Sequence, residues 1–405
     1  MRFSSLLGAR GRAAVVAAAL ALTGCGGGGS SGGTAPASNP NPTTTQNLLP
    51  IVVDAGPANT NTVNVPFVTV TVCAPGGSNC QTIDHVILDT GSTGLRIMSS
   101  VLNASLAQAL IQQQSGSSAL AECVQFADGY VWGPVKTADV TLGAEAPLKS
   151  LALQVIGDPA YGNVPSDCSN AGPAENSVPS FGGNGILGVA VFQQDCGSAC
   201  AQAAIPATYY ACTGATCQAV AVPLAQQVQN PVGLLASDNN GVVIDLPAVA
   251  ATGAATVDGS LYLGIGTEAN NALGGAKVYA LDPATGNFTT VFNGRSYAGS
   301  FVDSGSNALF FPDGGTTVCS SGFYCPASTQ QLVATNQGTN GVSGSVAFSV
   351  ANADALLATA NTAFNNLAGP SSGFDWGLSF HFGRRVYTAI EGRSTPGGAG
   401  PYVAY

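Results

Sequence analysis

Charge is scarce in this chain: only 8% of its 405 residues are Asp, Glu, Lys or Arg, and Lys136, Lys149 and Lys277 are the whole lysine complement. With a net charge of −10 there is no basic cluster to neutralise phosphates, which excludes nucleic acid and anionic lipid surfaces as electrostatic partners. Histidine is just as rare, with His85 and His381 alone. A serine triad would need one of them as its base. His85 stands four residues before Asp89 on a strand-like stretch and His381 lies in an apolar C-terminal one, so both read as packed or solvated side chains. No Gly-x-Ser-x-Gly elbow and no phosphate loop occurs. Beyond the first residues, no segment is apolar and long enough to cross a bilayer.

What is present begins with a leader. Arg2, Arg10 and Arg12 form a basic region, and the apolar run 13–22 is too short to span a membrane. Leu22-Thr-Gly-Cys25 resembles the lipobox of bacterial lipoprotein signals, which are cut before the cysteine that receives the lipid. The resemblance implies a signal peptide at 1–24 and lipidation at Cys25; an ordinary secretory cleavage near Gly24 is the alternative. Residues 25–47 are a Gly/Ser/Pro/Thr-rich linker without periodicity, a leash suited to a tethered domain. Gly26, where an aspartate would signal inner-membrane retention, points to the outer membrane.

The remainder is rich in Gly, Thr, Val and Ser, which reads as an exported all-β protein with a few short helices. It is long enough for one core to split in two. The Ser237-Asp-Asn-Asn240 turn divides it into an N-terminal lobe, 48–238, and a C-terminal lobe, 239–405. Setting Cys25 aside from eleven cysteines leaves ten. Cys73 and Cys80, Cys196 and Cys200, Cys212 and Cys217, and Cys319 and Cys325 are close pairs, and Cys123 with Cys168 pair by default. Their irregular spacing and the shortage of histidine argue for disulfides rather than a metal site.

Strand-like stretches run through 51–54, 63–72 and 82–88, with a hairpin closed by the 73–80 loop. Val101, Leu102, Leu106, Leu110 and Ile111 have helical spacing. Residues 123–133 read as a β-hairpin turning at Asp128-Gly129. Further strands are expected at 140–142, 151–156, 184–190, 231–236, 241–246, 260–265, 277–281 and 288–292, with a helical turn or two at 224–228. Residues 353–367, rich in Ala and Leu, predict the longest helix, stopped by Gly369-Pro370. A closing strand is expected at 380–390.

Two tetrapeptides organise all of this. His85-Val-Ile-Leu drives into Asp89-Thr-Gly-Ser92, and about half a chain later Ser300-Phe-Val drives into Asp303-Ser-Gly-Ser306. One such tetrapeptide is ordinary turn chemistry. Two copies, each fed by an apolar strand, point to a pair of acids brought together.

At these residues the chain resembles the pepsin-like aspartic peptidases, in landmark order over nearly all of its mature length. The resemblance implies a bilobal architecture with a cleft between two β lobes, and Asp89 and Asp303 as the catalytic dyad. Thr90, Gly91, Ser92, Ser304, Gly305 and Ser306 would support the dyad. The hairpin bearing Phe126, Asp128, Gly129 and Tyr130 falls where such enzymes carry a mobile flap over the substrate cleft. Gly185-Ile-Leu-Gly188 matches the strand that crosses behind the first loop, and 382–391 the C-terminal strand. Three positions depart. Phe126 replaces the flap tyrosine, so its hydroxyl must come from Tyr130 if at all. Arg96 replaces a bracing tryptophan, and the second apolar-apolar-glycine motif reads Trp376-Gly-Leu378-Ser379, a weaker support behind Asp303.

Two adjacent carboxyls that cannot both ionise share one proton, as the aspartic proteases do, and so supply both a base for water and an acid for a carbonyl. Glycines let backbone N–H groups approach each carboxylate, and serine hydroxyls hold its charged form. The expected function is an aspartic endopeptidase without cofactor or metal, acting as a monomer on a peptide or protein substrate. The lipid on Cys25 would hold it to the membrane of a bacterial envelope, its globular part periplasmic or surface-exposed. From other classes, a catalytically silent pepsin-like lipoprotein could bind a peptide or protein partner in the same cleft, or the chain could be purely structural.

Overall fold

In the computed structural model, which describes residues 46–405, strands predominate and no α-helix is longer than Ala104–Ala109. The fold is all-β. The proposed signal peptide, Cys25 and the linker to residue 45 lie outside the described residues. Asn47, read as the last linker residue, is buried and donates to the Leu263 carbonyl.

Each aspartate closes a strand, and each strand sits in the same local arrangement. Pro66–Cys73 and Cys80–Asp89 form an antiparallel hairpin whose mouth carries the Cys73–Cys80 disulfide. The second strand begins partly exposed and ends with Val86, Ile87, Leu88 and Asp89 all buried. It loses its solvent face because Gly185–Val189 runs parallel to it, Gly188 opposite Asp89, and antiparallel to the following Thr93–Met98. Gly188 is needed there, since a Cβ would lie 2.7 Å from the Ser92 carbonyl oxygen.

The second half repeats the device. Arg295–Val302 delivers Asp303, and Asp375–Trp376 runs parallel to it and antiparallel to Leu309–Phe311. Trp376 lies opposite Val302, as Leu187 lies opposite Leu88, so Gly377 takes the place of Gly188. A Cβ on Gly377 would meet the Ala308 carbonyl oxygen at 2.0 Å. The supporting motif is therefore Phe374-Asp-Trp-Gly377 rather than Trp376–Ser379. Its rear support is intact, with the Asp303 N–H donating to the Trp376 carbonyl at 3.2 Å.

Strands from the start, middle and end of the chain join the halves. Leu48–Val53 pairs along its length with Val257–Leu263, which pairs with Gly241–Leu246, which pairs in turn with Arg384–Ala389. One large core is aliphatic, built on residues such as Val70, Leu88, Leu142 and Leu261. Another is aromatic: Phe292, Phe311, Phe374, Trp376 and Phe380 meet at offset and edge-on angles. The five disulfides Cys73–Cys80, Cys123–Cys168, Cys196–Cys200, Cys212–Cys217 and Cys319–Cys325 are all formed. Among the described residues no helix is long and apolar enough to cross a membrane.

Several local expectations are corrected. The helix read at 353–367 exists only as Ala353–Leu357. Asn361, Asn365 and Asn366 turn their side-chain amides to the carbonyls of Thr252, Val249 and Ala251, an alternative to helix that asparagine favours. Gly369-Pro370, read as the stop, belongs to the strand Ala368–Pro370. The strand read at 231–236 is a 3-10 turn, Val232–Leu234, begun by Asn230 Oδ1 accepting from the Val232 N–H. The closing strand is shorter than expected, because Leu378–His381 is a helical turn and only Arg384–Ala389 is strand. The helix read around 101–111 is Ala104–Ala109, capped by the Asn103 side chain.

Candidate active site

Tight turns put each carboxyl against its own loop. The Gly91 N–H donates to Asp89 Oδ1 at 2.7 Å, and the Gly305 N–H to Asp303 Oδ1 at 2.8 Å. Ser92 Oγ donates to Asp89 Oδ2, and Ser306 Oγ to Asp303 Oδ2. The matching contacts make an approximate twofold pair of loops.

The loops also bond to each other. The Thr90 N–H donates to Ser304 Oγ and the Ser304 N–H to Thr90 Oγ1, while Ser304 Oγ donates onward to the Leu88 carbonyl. Thr90 Oγ1 points to the Val302 carbonyl at 3.4 Å. This cross-bonding sets the Asp89 and Asp303 carboxyls side by side, both within 3.2 Å of where a Cβ on Gly305 would stand. A Cβ on Gly91 would lie 2.6 Å from Asp303 Cγ, and one on Gly305 2.5 Å from Asp89 Oδ1. Each glycine thus clears space for the opposite acid. Burial, with the charges of Asp89 and Asp375, holds the Asp303 carboxyl well above the usual carboxylate range. The pair can hold one proton between two acids, one ready to accept and the other to donate.

The hairpin Ser118–Gln125 and Tyr130–Leu142 turns where expected, with the Phe126 N–H donating to the Gly129 carbonyl. Its residues divide between two faces. Phe126 packs with Phe181, Ile87 and Ile186, an apolar wall adjoining the Asp89 strand. Tyr130 packs on another cluster, with Trp132, Tyr210 and the Cys123–Cys168 disulfide. The structure therefore does not bring Tyr130 to Phe126's side. The tip is also tied down: Tyr130 N–H donates to the Pro173 carbonyl and Glu175 N–H to the Tyr130 carbonyl. Gly129 sits so close to Pro173 that a Cβ would meet its carbonyl oxygen at 2.5 Å. A small pocket is lined from both halves, by Thr90, Gly91 and Phe192 and by Gly286, Phe301 and Val302, and by neither Asp89 nor Asp303.

Three acidic groupings escaped the sequence reading. Asp375 is buried, and Ser306 Oγ lies 2.6 Å from its Oδ2. Burial holds its carboxyl well above the ordinary range, with the charge of Asp89 adding to it. An acid inside an apolar strand was the available signal, once Gly377 is matched to Gly188. Arg96, at the bracing position, is buried against Glu122 at 2.6 Å and Asp195 at 3.2 Å, and Tyr209 donates its hydroxyl to Asp195. Glu175, beneath the hairpin tip, is pushed by burial and by Asp128 to a pKa of about 8. His85 pairs with Asp54 at 3.3 Å, and burial lowers His381 to about 4, its Nδ1 lying 3.3 Å from the Gly377 carbonyl oxygen.

The chain belongs to the family described as "Protein of unknown function (DUF3443)", whose model matches residues 43–405. No curated protein matches it. Among solved structures it is similar to the aspartic proteinase from Irpex lacteus, with 15% identity over 88% of this chain and 96% of that chain and a TM-score of 0.46.

Proposed function

We propose that this protein is an aspartic endopeptidase, and that Asp89 and Asp303 together activate a water molecule for hydrolysis of a peptide bond. The observation that carries the reading is the juxtaposition of two buried carboxyls across loops cross-bonded through Thr90 and Ser304. The ionised member takes a proton from water as the water oxygen attacks the scissile carbonyl carbon. The protonated member gives its proton to the carbonyl oxygen. The tetrahedral diol then collapses, the C–N bond breaks, and a proton passes to the leaving nitrogen. The substrate would be an extended peptide lying between the two halves.

Digestion of a peptide library across pH tests this. Cleavage is expected, and Asp89→Asn and Asp303→Asn should each lower it by about 10³-fold. Undiminished cleavage in either variant assigns the activity to another site or protein. A second reading, a silent cleft that binds peptide without cutting it, draws support from Phe126 in place of a hydroxyl-bearing residue and from the tied hairpin tip. It requires binding by the native protein with no cleavage at any pH.

The anchoring proposal rests on the sequence of the leader. The lipid on Cys25 would tether the enzyme to a bacterial envelope membrane, the outer one by the Gly26 criterion. Cys25→Ser should move the protein from the membrane to the soluble fraction and abolish labelling by a fatty-acid analogue.

A further inference from the structure

The two catalytic loops match closely except at one position behind the second. The register that aligns Gly188 with Gly377 also aligns Ile186 with Asp375. Behind the first loop Ser92 donates to Asp89 and an isoleucine stands at the matching strand position. Behind the second, Ser306 Oγ lies 2.9 Å from Asp303 Oδ2 and 2.6 Å from Asp375 Oδ2. A serine hydroxyl has one proton to give. With two carboxylate oxygens at hydrogen-bond distance from it, one carboxyl must bring a proton of its own.

Asp375 is the acid built to do so. It is 2% exposed, and its Oδ1 is buried without a hydrogen-bond partner, a poor setting for a full negative charge. The neighbouring strands set Phe301 and Phe310 opposite it, and the cation on them, Arg295, stands at the far end, opposite Phe292. The charged groups that bear on it are the acids of the dyad, and burial keeps His381, on the helical turn that follows, neutral. Asp303, by contrast, has its own loop N–H, from Gly305 at 2.8 Å, to hold charge.

We propose that Asp375 is a third, protonated acid behind the dyad, which donates to Ser306 Oγ so that Ser306 gives its own proton to Asp303. It is a positioning residue: it touches neither water nor substrate and acts through Ser306. A donor at the far end of the chain polarises the Ser306 hydroxyl, strengthens its bond to Asp303, and favours the singly protonated dyad at lower pH. The role rests on the peptidase reading; the protonation of Asp375 does not.

Two measurements separate these. Infrared difference spectra between the native protein and Asp375→Asn at pH 7 should show a buried carboxylic-acid carbonyl band that the variant lacks. Absence of that band overturns the proposal whether or not the protein cuts peptides. If the band is present and the native protein cleaves nothing, the peptidase reading fails, and with it the catalytic role given to Asp375. For the active enzyme, Asp375→Ile should move the acid limb of kcat/KM upward by roughly one pH unit, and Asp375→Asn, whose amide can still donate, by less. An unmoved limb in the isoleucine variant overturns the relay. Should that variant not fold, Ser306→Ala cuts the relay at its middle, and adding Asp375→Asn should then move the limb no further. A further shift as large as Asp375→Asn gives alone would mean that Asp375 acts through space, which also overturns it.

Discussion

Thr90 and Ser304 clasp each other across the two halves: the Ser304 N–H donates to Thr90 Oγ1 at 2.9 Å, and the Thr90 N–H to Ser304 Oγ at 3.1 Å. Four buried polar groups are satisfied by two residues, and the spacing of the acids depends on them. Thr90→Val keeps the shape and removes the hydroxyl, leaving the Ser304 N–H without that acceptor. We expect about 1–3 kcal/mol of lost stability by denaturant titration. Peptide cleavage should fall further, by about 10²-fold, because a small misplacement of a reacting group is costly.

Gly91 and Gly305 allow a different test, since each faces the other half's carboxyl. Gly305→Ala would place a Cβ 2.5 Å from Asp89 Oδ1, far inside contact distance, and Asp89 is held by its own loop and cannot swing away cheaply. The expected outcome is a folded protein, by circular dichroism, whose kcat falls by about 10²-fold or more. Equal activity would mean that the acids need not touch.

The two loops were legible in the sequence because their chemistry is local: aspartate, hydroxyl, glycine and serine do their work within four positions. Strand content was legible for a similar reason, alternation being a short-range signal. What failed was set by distant partners. The helix read over 353–367 scored well on Ala and Leu, yet Asn361, Asn365 and Asn366 bond to a loop more than a hundred residues away. Phe126 and Tyr130 could be named together, but which face each takes follows from the pairing of Gln125 with Tyr130. Asp375 acquires meaning only through the register that sets it beside Ser306.

Arg96 stands where a bulky apolar brace was expected, and it brings two acids with it. Burial opposes its charge, but Glu122 and Asp195 outweigh that and raise its pKa. Burial and the charge of Glu122 push Asp195 well above its usual range. Arg96→Leu removes the cation and strands the acids, so it should cost about 3–5 kcal/mol. Arg96→Leu with Glu122→Leu and Asp195→Asn should recover a large part of that loss, since a packed apolar replacement tolerates burial better than an unpaired charge. Urea midpoints of both variants decide it; equal losses would show that the cluster is held by packing alone.

Glu175 lies under the hairpin tip, 5% exposed, with its Oε2 buried and unpartnered. Its pKa rises from 4.5 to about 8 on folding, through burial first and then the nearby charge of Asp128. Between those values the folded state holds a proton that the unfolded chain has released. Stability therefore falls as pH climbs from about 4.5, and the contribution is fully lost once pH passes about 8. Asp303 and Asp375, raised in the same direction, add to the trend. The protein should melt at a higher temperature at pH 5 than at pH 8.5. Glu175→Gln, which never ionises, should flatten that slope and leave the variant the more stable of the two at pH 8.5. A thermal-melt series for both proteins over this range tests it: parallel slopes would place the pH dependence elsewhere, and a native protein more stable at pH 8.5 than at pH 5 would reverse the sign of the argument.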